Sequence, residues 1–155
     1  MTDSLATQVI EKFTTLGNTV ALAESCTGGL IAHRLTNVSG ASKVFLGGVV
    51  CYSNQIKESL LHVPHMVLQS DGAVSAACAT AMVRGIQRLM GASHCAAVTG
   101  IAGPTGGSAT KPVGTVFIAT LCENKLQCQE YHFNASREEF KNHCADEILK
   151  RFLSA

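Results

Sequence analysis

The residues best suited to chemistry lie in Ala23-Glu24-Ser25-Cys26-Thr27-Gly28-Gly29. An apolar run from Thr19 to Ala23 precedes them and an amphipathic run from Leu30 to Leu35 follows. That order predicts a buried strand, a polar hinge and the start of a helix. A hydroxyl at such a hinge is placed to attack a carbonyl carbon, and unpaired N–H groups at the helix start can hold the negative oxygen that develops. The same residues also suit an ordinary helix cap, with Ser25 or Thr27 accepting from the first turn. Cys26 is a rival nucleophile, since a helix N-terminus lowers a thiol pKa. Glu24 reads as a base or as an ion-pair partner, the second being preferred.

Two other polar segments carry candidate groups. Lys57 closes Tyr52-Ser53-Asn54-Gln55-Ile56-Lys57. A lysine works as a base only when burial or a neighbouring cation draws its pKa down from about 10.4, and a lysine without such a setting belongs on a solvated surface. Tyr52 reads equally as a residue packing at a strand end. The stretch from Thr99 to Gly114 is too long and too rich in glycine for an ordinary connection. It has neither the Gly-x-Gly-x-x-Gly nor the Gly-x-x-x-x-Gly-Lys-Ser/Thr pattern. Its glycines would let backbone amides approach a phosphate, with Lys111 adding charge; otherwise it packs as a surface loop. Arg137 falls in the first turn of the last helix, where the helix dipole disfavours a cation. A bound anion would explain that placement, as would simple tolerance at the surface.

The elements that must position these groups follow from periodicity. Thr2, Asp3 and Ser4 offer caps for a helix whose inner residues are Leu5, Val9, Ile10, Phe13 and Leu16, ended by Gly17-Asn18. Strands are predicted at 19–23, 45–52, 95–99, 115–120 and 126–133, the last antiparallel, with a bulge or close approach at Gly47-Gly48. Helices are expected from the serine hinge to about 36, over a short segment at 55–61 stopped by Pro64, from Ser75 to about 90, and after a capping box made by Ser136 and Glu139. The alternation predicts an α/β fold, a three-layer α/β/α sandwich around a mixed, mainly parallel sheet of about five strands, with residues 1–155 as one domain. In such sheets ligands bind beyond the carboxyl ends of the strands. The Ser25 hinge, the 52–57 segment and the 99–114 loop all follow strands, so parallel strands would bring them to one crevice.

Composition narrows the function classes. The formal net charge is +1, and no basic stripe carries interleaved aromatics, so nucleic acid is not expected as a partner. The seven cysteines are odd in number, lack Cys-x-x-Cys spacing and sit mostly in apolar runs, which predicts reduced, buried thiols. No His/Cys set has metal-ligand spacing, and neither a metal nor a cofactor is expected. No leader-like or bilayer-spanning segment is read, so the expected location is the cytoplasm with no membrane partner. The apolar composition suits a homodimer.

Three separated motifs, Ala23 to Gly29, Tyr52 to Lys57 and Thr99 to Gly107 with Lys111-Pro112-Val113-Gly114, resemble the CinA C-terminal domain family. Gly72-Ala73-Val74-Ser75 also fits, and the resemblance covers essentially the whole chain. It implies a nicotinamide-nucleotide amidase, which turns the carboxamide of nicotinamide mononucleotide into the carboxylate of nicotinate mononucleotide, releasing ammonia without a metal. By that resemblance Ser25 would be the nucleophile, Lys57 the general base and Tyr52 a hydrogen-bonding assistant. Cys26, Thr27 and Gly28 would contact the substrate, the backbone amides around Cys26 and Thr27 holding the oxyanion. Thr99 and the loop after it, through Gly100, Gly103, Gly106, Gly107 and Lys111, would line the site, and Arg137 would bind the substrate phosphate. The larger members carry an N-terminal domain resembling molybdopterin-binding proteins, which has no counterpart here. Ala135 stands where a glycine is usual, Lys141 where a second arginine is common, and Cys51 at a position more often polar. The competing expectation is a nucleotide-binding or interaction module that keeps the fold without catalysis.

Overall fold

The computed structural model describes residues 3–155. Of the three cap candidates at the start, Thr2 lies outside the described residues and Asp3 is the cap, its side chain accepting from Ala6 N–H. The helix that follows, α1 (Ser4–Leu16), buries Ala6, Val9, Ile10 and Phe13 along one face and ends at Gly17. The strands are β1 (Val20–Glu24), β2 (Phe45–Val50), β3 (His94–Gly100), β4 (Thr115–Cys122) and β5 (Lys125–His132). They form one sheet in the order β2-β1-β3-β4-β5. β1 pairs in parallel with both β2 and β3, while β4 is antiparallel to β3 and to β5. Four strands therefore point the same way and β4 alone is reversed, a mixed and mainly parallel sheet.

The remaining helices are α2 (Leu30–Thr36), α3 (Asn54–Leu61), α4 (His65–Ser70), α5 (Ala76–Met90) and α6 (Arg137–Ser154). Alternation along β1 separates two cores. Val20 and Leu22 face a cluster built with Phe13, Ile31, Phe140, Ile148 and Phe152, from α1, α2 and α6. Ala21 and Ala23 face the opposite cluster, built with Leu61, Met82, Val83 and Ile86, from α3 and α5. β1 is buried at every position, which is why it reads as an unbroken apolar run rather than an alternating one. Each fully buried Leu, Ile or Phe contributes about 1.5–3 kcal/mol, so these two layers provide most of the stabilisation. Arg34 of α2 adds a polar staple, bonding Asp3 at the start of α1 and Asp146 of α6 at 2.8 Å. Its guanidinium holds the Asp3 carboxyl below the usual carboxylate range.

Two local details sharpen the expectations. The close approach expected at the glycine pair is present, a Cβ on Gly48 lying 3.1 Å from the Leu22 carbonyl oxygen, while the irregularity on β2 falls at Leu46, which is skipped in the pairing between Val20↔Phe45 and Ala21↔Gly47. A turn of helix, α4, follows Pro64 where the sequence predicts none; Pro64 takes the N-cap position, where its missing N–H costs nothing.

Candidate active site

Three chain segments meet beyond the carboxyl ends of β1, β2 and β3. Ser25 is the first residue after β1, and its N–H still donates to Val98 of β3 at 3.0 Å, so the sheet holds its backbone. Lys57 lies one turn into α3, whose cap, Ser53, accepts from Ile56 N–H. That helix packs against α5 and turns the lysine inward: Lys57 is 1% exposed. Its Nζ donates to Ser25 Oγ at 3.0 Å and to the Cys51 carbonyl at 2.8 Å. A solvated surface lysine, one of the readings the sequence left open, is therefore corrected. The periodicity of α3 hides this, because Lys57 stands on a face that is otherwise apolar, beside Leu61.

The turn after Ser25 is not built as a serine or threonine cap. The residue at the cap of α2 is Gly29, in the left-handed region at φ 96°, which has no side chain to offer as a cap. The capping is done by Glu24, whose carboxylate accepts from Thr27 Oγ1 at 2.7 Å, Gly29 N–H at 3.0 Å, Ile31 N–H at 3.2 Å and Ala32 N–H at 2.8 Å. Glu24 is 2% exposed and takes part in none of the ion pairs among the described residues. The expectation of a base or an ion-pair partner is corrected to a buried carboxylate satisfied by a helix start, an arrangement the dipole favours. The backbone N–H groups of Cys26 and Thr27, by contrast, donate to no acceptor among the described residues, while Gly28 N–H closes back on the Ser25 carbonyl at 3.1 Å.

A cavity of about 290 Å³ opens over this turn, lined by Ser25, Cys26, Tyr52, Lys57, Thr99, Gly100, Gly103, Gly106 and Arg137 among the expected residues. Asn54, Ala73, Val74, Ile101, Ala102 and Thr105 complete the lining. All six fall inside the motifs quoted from the sequence, which did not single them out as site residues. The volume sits at the small end of the range of about 300–1,000 Å³ usual for ligand sites. Thr27, Gly28, Gly107 and Lys111 lie outside the lining. Thr27 is fully buried against Glu24, and Lys111 reaches away to the Asp71 carbonyl at 2.5 Å, tying the glycine loop to the turn before α5. Thr99 holds that turn from the other side, donating from Oγ1 to the Ala73 carbonyl at 2.8 Å.

Arg137 spans the mouth. It donates to the Gly103 carbonyl at 2.8 Å and to the Tyr52 hydroxyl at 2.9 Å, so Tyr52 is engaged with the arginine rather than with Ser25 or Lys57. Gly103 sits at φ 75°, and a Cβ there would lie 2.3 Å from a Val113 methyl carbon. Only glycine brings this loop close enough to receive Arg137. Lys141, one turn along α6, lies 4.0 Å from the position a Cβ would take on Gly28.

Three buried thiols are held in the neutral, unreactive form. Burial pushes Cys51 and Cys78 up to about 11 and Cys95 up to about 12. The Cys144 thiol is raised by the neighbouring Cys26 thiol and by burial. Cys26 and Cys144 of α6 belong to the same buried cluster. Among the described residues no three His, Cys, Asp or Glu side chains cluster as metal ligands, and no helix is long and apolar enough to cross a membrane. A second cavity, about 250 Å³, lies at the far end of the sheet among His94, Glu123, Lys125 and Arg151.

A family model described as the CinA C-terminal domain matches residues 2–155. A CinA-like protein of Geotalea uraniireducens is 48% identical over 139 residues, covering 90% of this chain and 33% of that protein. Another, from Syntrophotalea carbinolica, is 45% identical over 154 residues, covering 97% of this chain and 37% of that protein. The chain thus spans about a third of the length of these curated relatives. Among solved structures, the competence/damage inducible protein CihA from Agrobacterium tumefaciens superposes with a TM-score of 0.94 at 41% identity, covering 97% of this chain and 92% of that one. A CinA superfamily protein from Klebsiella pneumoniae gives 0.93 at 32% identity, with 98% and 95% covered.

Proposed function

The chain belongs to the CinA C-terminal domain family, and from that membership and the chemistry of the cavity we propose that it is an amidase acting on nicotinamide mononucleotide. The observation that carries this reading is the buried contact of Lys57 Nζ with Ser25 Oγ at 3.0 Å. A hydroxyl and an amine within hydrogen-bond reach, at the floor of a small cavity, are the two parts that acyl transfer needs.

In the proposed cycle Ser25 Oγ attacks the carboxamide carbon while Lys57, entering as the amine, takes the hydroxyl proton. The carbonyl oxygen becomes an oxyanion that the unpaired N–H groups of the turn at Cys26 and Thr27 would hold. Collapse breaks the C–N bond, and the proton held by Lys57 leaves with ammonia. The acyl group now on Ser25 is attacked by water, which passes a proton to Lys57. Nicotinate mononucleotide departs as Ser25 recovers its proton. Arg137, above the floor, would exchange its bond to Tyr52 for the substrate phosphate, a bidentate pairing its guanidinium suits. The substrate is a small nucleotide, no metal or cofactor takes part, and the setting is the cytoplasm.

Ammonia release from nicotinamide mononucleotide tests this. Ser25→Ala and Lys57→Ala should each lose about 10³-fold or more in kcat/KM, since members of a catalytic unit fail together. Undiminished turnover by Ser25→Ala would sink the mechanism. Calorimetric binding of the mononucleotide by a wild-type protein that releases no ammonia would establish the non-catalytic module instead.

A further inference from the structure

We propose that Glu24 is the positioning residue of this site, setting both the nucleophile turn and the anchor of Lys57; the inference rests on the Ser25–Lys57 reading above. The argument begins with what Glu24 leaves free. A helix start presents several N–H groups without partners, and the commonest remedy is a nearby serine or threonine hydroxyl. Had Ser25 supplied it, its oxygen would be spent on the helix. Glu24 instead collects Gly29, Ile31 and Ala32 N–H and the Thr27 hydroxyl. Ser25 Oγ is thereby left to Lys57, and Cys26 and Thr27 N–H are left without an acceptor among the described residues.

The main chain of the same residue supports the other partner. The Glu24 carbonyl accepts from Cys51 N–H at 2.9 Å, and the Cys51 carbonyl accepts from Lys57 Nζ at 2.8 Å. One residue at the end of β1 is thus bonded to the turn that carries the hydroxyl and to the strand end that holds the amine. A carboxylate buried this fully, with four donors and no cation, costs free energy to desolvate and persists where its geometry is useful. The side chain has no place in the cavity lining, so it acts through Ser25 rather than on substrate.

The test reads Ser25 reactivity independently of the natural substrate. A small alkyl fluorophosphonate labels an activated serine as Oγ displaces fluoride from phosphorus. Labelling rate, kcat and KM for the mononucleotide, and thermal midpoint are measured for wild type, Glu24→Gln, Thr27→Val and Thr27→Ser. Because displacement of a reacting atom by about 1 Å costs about 10²-fold, Glu24→Gln should lose about that factor in labelling and in kcat, with KM within about twofold. Thr27→Val, which removes one of the four donors, should lose about tenfold, and Thr27→Ser should return to within about twofold of wild type. A folded Glu24→Gln protein that labels within about twofold of wild type overturns the proposal. If Glu24→Gln does not fold, the Thr27 pair decides, equal rates in Val and Ser overturning it. A wild type that labels at Ser25 but leaves the mononucleotide intact defeats the substrate assignment alone, with the labelling ratios still deciding the role of Glu24. A wild type that does not label at Ser25 defeats the nucleophile and the positioning role together.

Discussion

Ser25 and Cys26 are neighbours in sequence with different fates. The Ser25 oxygen meets Lys57 at 3.0 Å, whereas the Cys26 thiol has no basic side chain as a hydrogen-bond partner among the described residues and belongs to the buried cluster that includes Cys144 of α6. Cys26→Ser should therefore keep ammonia release within about tenfold of wild type, a loss larger than that pointing to the thiol as nucleophile. Arg137 is the residue through which substrate affinity should act. A hydrogen bond to a charged group is worth about 1.5–3 kcal/mol, so Arg137→Ala should raise KM by about 10- to 100-fold with a smaller change in kcat. Steady-state kinetics on nicotinamide mononucleotide separates the two. Lys57 was open to reading as a surface residue because nothing local reveals its direction. Only the packing of α3 against α5 decides it.

Elements supply the precision that single residues lack. α3 carries Lys57 and lies against α5, where Gly85 lets the two backbones touch: a Cβ at Gly85 would fall 2.2 Å from the Leu61 carbonyl oxygen. Gly85→Ala must push the C-terminal end of α3 outward. Overpacking of this kind costs about 1–3 kcal/mol, and a fall of that size in chemical unfolding free energy, accompanied by lost ammonia release, is the expected outcome. An unchanged unfolding midpoint would show that α3 is free to shift. The existence of α1, α5 and α6 was legible from their apolar spacing, and the capping box of Ser136 and Glu139 is present as read. The start of α2 was not legible. Its cap comes from a residue five positions before Gly29, inside the preceding strand, and local cap rules look only one or two residues back.

Taken whole, the molecule couples its two cores through β1 and β3, and His94 sits where they begin. His94 is 2% exposed, with its ring 4.6 Å from that of Phe13 and 6.4 Å from that of Phe152. Burial lowers its pKa below the usual imidazole value. The unfolded chain then binds a proton that the folded one refuses, so stability is fully present above about pH 6.5 and is lost as pH falls from there through the lower folded value. Urea midpoints should drop between about pH 7 and about pH 5, and His94→Phe should flatten that slope. An equal slope in the variant would place the proton uptake elsewhere.

The sequence by itself determined the α/β alternation, the run of buried strands and the three polar turns that follow β1, β2 and β3. These are properties of hydrophobic period and of glycine and capping residues, which act over a few positions and so can be read locally. It also determined the family resemblance, because motif order is a property of the chain alone. Which side of α3 faces the core, which residue caps α2, and whether Tyr52 meets the serine or Arg137 were decided only by the tertiary structure. Each depends on a contact between segments far apart in sequence: Lys57 with Ser25, Arg137 with Tyr52 and Gly103. Glu24 joins them for a related reason. A carboxylate at the end of a buried strand reads as an isolated charge until the folded turn brings four donors around it.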